Sequence, residues 1–440
     1  MEFLQLHRTI QLRILTTFIT RLTGTMIFPF MAIYFAGYLG AGIAGILLFS
    51  SLIVQLIASL YGGYVADRGG RKKVMVWGEG IQCVAFLGMM LANSPYWQSA
   101  WFTFAMMIIH SLCNGLIIPA SDAMLIDVST PQTRTLMYSI NYWSINLAIT
   151  FGALIGGAMF SSHRMALFGL LAITGLIIWL ITIFLITETY VPQTHVQQKN
   201  HIQQIKQWNI ISSGKLIIRN YHQVWKDRLF ILFVLGNMLL LSTEFHLTQY
   251  IGVRLQNEFV PQTIMIWGNG QLELNGIKIL SMIQIENTVG IVLLSLFLAG
   301  VIRRSKRQIS WMNVAVLIYI TGFAVMAFSN TLWILAGAML LATVGELIHV
   351  PIRQSLLAQI INDQSRSSYM AVHGMGTQGA RAIAALGITL GVWIPSYGMS
   401  ILIAMVGLIG FLLISYVISR VQASAKATST QGVTKNQVTL

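Results

Sequence analysis

Charge is scarce in this chain. Only 9% of its 440 residues are charged against 55% hydrophobic, and the mean hydropathy is +0.71. Soluble domains carry about 25% charge, so a water-soluble globular fold is excluded. Acids are scarcer still, 13 against 27 bases, a net charge of +14. The bases are dealt out in small groups between apolar runs rather than along one amphipathic face, which argues against nucleic-acid binding. Cysteine is nearly absent. Cys83 and Cys113 lie in apolar runs without metal-ligand spacing, so neither a disulfide framework nor a zinc site is supported. There is no HExxH, no Walker loop and no paired catalytic constellation, so an enzyme is not expected and no cofactor or metal is called for. A channel filter arises from symmetry about a pore and is not expected of two unlike halves. The amphipathic stretch Met1 to Arg13 runs into an apolar segment with no small-residue cleavage site, so a removable signal peptide is not expected.

Apolar runs dominate instead. A bilayer span needs about 20 of them in succession, and twelve runs are placed near 12–36, 42–66, 74–93, 100–126, 136–160, 166–187, 229–254, 279–302, 311–329, 331–360, 368–393 and 398–419. The predicted fold class is an all-α integral membrane protein of twelve transmembrane helices in two pseudo-symmetric six-helix bundles. Its parts are an N-terminal bundle at 1–187, a cytoplasmic linker at 188–227, a C-terminal bundle at 228–420 and a disordered tail at 421–440.

The chain is organised around Gly63-Tyr-Val-Ala-Asp67-Arg68-Gly69-Gly70-Arg71-Lys72-Lys73, read as a tight cytoplasmic turn between the second and third spans. Bases crowded against a span end mark the side that stays inside. Arg134, the connector's Lys199, Lys206, Lys215, Arg219 and Lys226, and Arg303, Arg304, Lys306 and Arg307 fall on the same side. Both termini are therefore placed in the cytoplasm of a multi-pass cell-membrane protein. The stretch 256–278 is read as a longer outer loop with a turn.

The halves repeat. Shifting by 232 residues lays Pro351 on Pro119 and Arg366 on Arg134, matching span ten to span four. Parallel halves of this kind are one way transporters build a central cavity.

An ionisable group at mid-bilayer costs about 3 kcal/mol on insertion scales, so each is a candidate for function. Glu346 heads the set, with His349 three residues on and sharing its face; it serves either transport or a static pair with Arg353 or Arg381. Asp122 and Asp127 lie five residues apart on span four. Arg21 is a partner for Asp122, as switch or static pair, and Asp127 is within reach of Arg68 or Arg71 at the inner gate. Glu244, beside His246 on span seven, is a cation or proton site or a packing contact. Glu286 is placed towards the outer leaflet, and Glu79 is expected to pair with Lys72 or Lys73. The 22 Met, 11 Trp and 21 Phe invite a reading as an adaptable apolar drug pocket. Gly152, Gly156 and Gly157 on span five allow close helix approach.

The GxxxDRxGRK pattern from Gly63, the two sets of six spans and the segment Asp127 to Arg134 resemble the major facilitator superfamily over essentially the whole chain. Gly345-Glu346 followed by Pro351 and Ser368-Tyr369 is similar to its proton-coupled multidrug antiporters, the lactococcal type in particular. The resemblance implies that Asp67 caps the eleventh span, with Gly63, Arg68 and Gly70 in the same gating loop, and forms a charge relay with Arg71 and Asp127. It also implies that Glu346 couples protons and binds cationic drugs. The chain departs from those relatives at Ala153, where they carry proline, at Asn141, where they carry an acid, and near Thr248, where Glu244 or His246 stands in. The function implied is export of lipophilic cations in exchange for protons by a monomer, the alternative being proton-coupled movement of a native metabolite, peptide or lipid.

Overall fold

The computed structural model of the chain describes residues 6–129, 131–189, 224–266, 270–304, 308–361 and 366–437. Apart from two hairpins, its regular elements are helical. They run α1 (Arg8–Thr25), a 3-10 turn (Phe28–Phe30), α2 (Met31–Leu39), α3 (Ala41–Gly69), α4 (Arg71–Leu91), β1 (Asn93–Ser94), β2 (Trp97–Gln98), α5 (Ala100–Asp127), α6 (Pro131–Met159) and α7 (Arg164–Phe184). After the connector come α8 (Arg228–Phe245), a π turn (Leu247–Ile251), α9 (Gly252–Glu258), β3 (Gln262–Ile266), β4 (Gly270–Leu274), α10 (Gly276–Arg304), α11 (Gln308–Met326), α12 (Leu332–Ile360), α13 (Arg366–Leu390) and α14 (Ser396–Gln437).

Ten stretches among the described residues are long and apolar enough to cross a membrane, counting α1 with α2 and α8 with α9. The other two runs read from the sequence also fall on helices. In α6 only Trp143–Met159 is sufficiently apolar. α13, with His373, Gln378 and Arg381, packs against α3 and α8, and a helix surrounded by protein need not present an apolar face all round.

Two runs expected to be single helices are broken. Pro29 lies in the 3-10 turn that separates α1 from α2, where a residue with no N–H and a fixed φ ends the α-helical ladder. The seventh run breaks at a π turn directly after Glu244-Phe245-His246, with no proline to announce it. One break falls in the first long apolar run of the chain and the other in the first after the connector.

The turn expected over Gly63 to Lys73 is far shorter than the sequence suggested. α3 continues through Gly69 and α4 starts at Arg71, leaving Gly70 alone at φ +95°, a left-handed conformation that side chains other than glycine's rarely adopt. A Cβ on Gly70 would also stand 2.6 Å from Glu188 Oε2, so the Glu188 carboxylate would have to shift to admit one.

The span-five glycines do what their spacing suggests. A Cβ on Gly152 would lie 2.6 Å from the Leu22 carbonyl oxygen and one on Gly156 2.5 Å from that of Met26, so α1 and α6 meet backbone to backbone. Gly157 faces Ser281 on α10. α13 likewise crosses α3, where Thr389 Oγ1 donates to the Gly42 carbonyl at 2.8 Å. Both crossings lie at the end of the bundle remote from Gly70, because Gly42 opens α3 and Gly157 closes α6.

The stretch 256–278 holds an antiparallel hairpin, β3 with β4, in the register Gln262↔Leu274 to Ile266↔Gly270. Trp267 and the rest of its turn lie outside the described residues. The tail expected to be disordered instead prolongs α14 to Gln437. Residues 421–437 contain no proline and are rich in Ala, Gln and Lys, which favour helix. The connector from 190 to 223, with its lysines, lies outside the described residues, as do Lys306 and Arg307.

Candidate transport cavity

Helices from both sides of the connector enclose a cavity of about 660 Å³. Its wall carries three arginines, Arg13, Arg21 and Arg381, and four acids, Glu79, Asp122, Glu244 and Glu346. Thr16, Thr17 and Thr20 of α1 and Gln284 and Asn287 of α10 add neutral donors and acceptors. Among the described residues Met107 and Met339 are the methionines that reach this wall, and no tryptophan does. Trp77 and Trp333 are 74% and 81% exposed on the outside of the bundle. Of the Met, Trp and Phe that invite the adaptable-pocket reading, phenylalanine supplies the larger share of this wall through Phe28, Phe86, Phe245 and Phe323.

On the α1 side, Arg13 Nη1 stands 3.7 Å from Glu79 Oε1, both side chains being almost fully buried. Arg13 Nη2 also donates to Ser121 Oγ on α5. The arrangement is incomplete: among the described residues Glu79 Oε2, Arg13 Nε and the nearby Thr182 hydroxyl have no hydrogen-bond partner. Glu79 was expected to pair with Lys72 or Lys73. It points into the bundle instead, and Lys72 Nζ donates to the Ile183 carbonyl at 2.7 Å. Asp122 is exposed to the cavity and feels Arg13 more strongly than Arg21, with neither a hydrogen bond nor an ion pair joining it to Arg21 among the described residues. In the sequence Arg13 belongs to the leading amphipathic segment. Its spacing to Thr16, Thr17 and Thr20, all on one face of α1, was the available signal.

On the other side, Asn287 Nδ2 donates to Glu346 Oε2 at 3.0 Å and also reaches Thr343 Oγ1 at 3.1 Å. Tyr319 donates to Glu244 Oε2 at 3.1 Å. Arg353, 8% exposed, attracts both acids but forms an ion pair with neither. Arg381 lies over the Phe245 ring, its Cζ 5.0 Å from the centroid. Glu346 and Glu244 are thus held by neutral donors and not locked to an arginine.

Other expected residues fall elsewhere. His349 is turned away from the cavity, its Nδ1 2.8 Å from the Gly345 carbonyl and its ring edge-on to Tyr319 at 4.7 Å. His246 is buried against Gly387, its Nδ1 2.5 Å from the Ser242 carbonyl. Asn141 and Glu286 do not line the cavity. His110, by contrast, does line it, 2.7 Å from Gln82 Nε2 and stacked on Phe28 at 4.5 Å.

At the Gly70 end, Arg71 pairs with Asp127, and Thr189 Oγ1 donates to Asp127 Oδ2 at 3.1 Å. Glu188 accepts from the backbone N–H groups of Arg71 and Lys72, each at 3.1 Å, placing a carboxylate at the N-terminus of α4. Gly63, Asp67 and Arg68 belong to α3, but their side-chain surroundings lie outside the described residues.

Many apolar helices around one charged, two-sided cavity define the class: this is a multi-pass membrane transporter and not an enzyme. The chain belongs to the Major Facilitator Superfamily, whose model matches residues 14–268. Residues 267–352 match a second model, described as "Predicted membrane protein (DUF2069)". The chain is 30% identical to a Na(+), Li(+), K(+)/H(+) antiporter of Planococcus maritimus over 390 residues, 88% of this chain and 90% of that protein. It is 26% identical to the multidrug resistance protein MdtH of Edwardsiella ictaluri, covering 88% of each. Among solved structures, a peptide transporter POT in complex with sulfate superposes with a TM-score of 0.69 at 15% identity over 94% of each chain, which is a likeness of fold.

Proposed function

We propose that this protein is a proton-driven cation exporter working by alternating access, built as two six-helix bundles at 1–187 and 228–420 joined by a cytoplasmic linker. The observation that carries the reading is the state of Glu346 and Glu244. Both face the cavity, both accept hydrogen bonds from neutral side chains, and neither is consumed by a salt bridge. A carboxylate so held can take up a proton or a cation, whereas one locked to arginine would have to break that pair first. Asp122, on the opposite wall, supplies a further acid. Coupling requires that proton and cargo differ in their affinity for the inward- and outward-open states.

The wall combines its four acids with apolar side chains, Phe28, Phe86, Phe245 and Phe323 among them, and so accommodates a small alkali cation or a lipophilic one. The name of the Planococcus relative supports the first and those of the MdtH proteins the second. Arg71 with Asp127, and with them Asp67, Arg68, Gly63 and Gly70, form the gate at the cytoplasmic end, and the contacts of Thr389 with Gly42 and of Gly157 with Ser281 close the outer end. The protein acts as a monomer in the plasma membrane with both termini inside.

Inverted vesicles loaded with a pH-sensitive dye test this. After respiration acidifies the lumen, addition of sodium, lithium or potassium chloride releases protons from parent vesicles and not from Glu346→Gln vesicles. If no alkali cation does so but ethidium does, the cargo is the lipophilic one. If neither does, proton-driven cation export is wrong.

A further inference from the structure

The cavity holds two arginines that the acids leave unengaged. Arg21, on α1, and Arg381, on α13, come from opposite sides of the connector and open onto the same space. The charge of Arg21 is among those that act on Arg381. Each has an acid in electrostatic range on its own side, Asp122 for Arg21 and Glu244 for Arg381. Among the described residues, however, neither guanidinium makes a hydrogen bond or an ion pair. Arg13 differs, because its Nη1 and Nη2 already engage Glu79 and Ser121. The Arg381 guanidinium is steadied over Phe245. Stacking occupies the face of the guanidinium and leaves its N–H edges free to donate.

Two like charges opening onto one partly desolvated space are unfavourable unless something negative lies there too. A planar fork of N–H donors on each side matches the oxygens of a carboxylate, phosphate or sulfonate, which can bridge the two. A cationic cargo would be drawn to Glu346, Glu244 and Asp122 and repelled here.

We propose that Arg21 and Arg381 form an oxyanion subsite of the central cavity, taking a carboxylate, phosphate or sulfonate group either free or carried by a zwitterionic cargo whose cationic end lies at the acids. The inference rests on the cavity and on neither the identity of the exported cation nor proton coupling.

Thermal unfolding of the purified protein in detergent provides the test, with sodium sulfate compared with sodium chloride at equal ionic strength, and glycine betaine with tetramethylammonium chloride. In the parent, sulfate raises the unfolding temperature more than chloride does. Arg21→Gln and Arg381→Gln each raise the half-saturating sulfate concentration at least tenfold. Arg381→Lys, which keeps the charge without the fork, falls between, and this guards against reading a misfolded variant as a loss of binding. A response to betaine that tetramethylammonium does not give, lost in the same variants, assigns the group to a zwitterion; a response to sulfate alone assigns a free anion. Glu346→Gln keeps the sulfate response even where it loses proton exchange, so the two proposals fail separately. Absence of any sulfate-specific shift in the parent, or a shift that survives in both glutamine variants, overturns the subsite.

Discussion

The Arg13 guanidinium and the Glu79 carboxylate meet at 3.7 Å inside the cavity wall, 5% exposed each. Their sequence neighbourhoods give no hint of each other. One belongs to the first turns of α1, the other to the middle of α4. A buried pair contributes little net stability, but removing one member strands the other, at a cost of about 3–5 kcal/mol. Glu79→Ala is therefore expected to lower the unfolding temperature sharply, and the double variant Arg13→Met with Glu79→Met to recover most of the loss. Thermal unfolding of the three proteins side by side decides it. A double variant no more stable than the single one would mean that the pair is not what holds these helices.

Tyr319 permits a cleaner change at the other wall. Tyr319→Phe keeps the ring against Phe323 and His349 and deletes only the hydroxyl that donates to Glu244. A hydrogen bond to a charged acceptor is worth about 1.5–3 kcal/mol. Transport through a step that uses Glu244 should fall by about tenfold or more, with amounts in the membrane unchanged. Flux equal to the parent's, measured in vesicles matched for protein content, would remove Glu244 from the working site.

At the opposite end of the chain's charge network, Arg71 and Asp127 are expected to act as a unit. Asp127→Arg or Arg71→Asp alone places like charges together and should abolish transport. The reciprocal exchange in one protein should restore part of it, with a coupling of about 0.5–3 kcal/mol between the two positions. If the exchange is as inactive as either single change, the pair is not a gate contact and Asp127 works through another partner, with Thr189 the nearest at hand.

Glu188 tests how that end is held. Its carboxylate sits on the first two N–H groups of α4, and loss of such a cap costs about 1 kcal/mol. Glu188→Ala should speed amide hydrogen exchange in the first turn of α4 while leaving the middle of that helix unaffected. Exchange identical to the parent's would show that the Arg71–Asp127 pair alone fixes the turn.

The spans were legible because apolar run length is a local property of the chain, and Glu346, Asp122 and Glu244 because a charge within such a run is conspicuous. What the sequence hid is non-local or directional. Glu188 caps residues 117 and 116 positions away, which no short pattern encodes. Arg13 sits at the polar edge of a run, where a base looks like an interfacial anchor. His349 shares a face with Glu346 only loosely, since three residues turn a helix by about 300°, and that offset suffices to put it behind Tyr319. The π turn after His246 has no proline to mark it, unlike the break at Pro29.

Gly156 gives the last test, because it is the position where the sequence pattern and the packing say the same thing. Its hydrogen faces the Met26 carbonyl, at the break between α1 and α2, and a methyl there would stand 2.5 Å from that oxygen. Backbone cannot step aside as a flexible side chain can, so Gly156→Ala must push α6 away from α1 at the point where α1 ends. Overpacking of this kind costs about 1–3 kcal/mol. The expected result is a lower unfolding temperature together with slowed transport, since the two helices that part are also the ones that carry Arg13, Arg21 and Asn146 into the cavity. Gly37→Ala is the control, because no atom lies within 4 Å of a Cβ placed there. If both substitutions are equally harmless, the close approach of α1 and α6 contributes nothing to holding the cavity together.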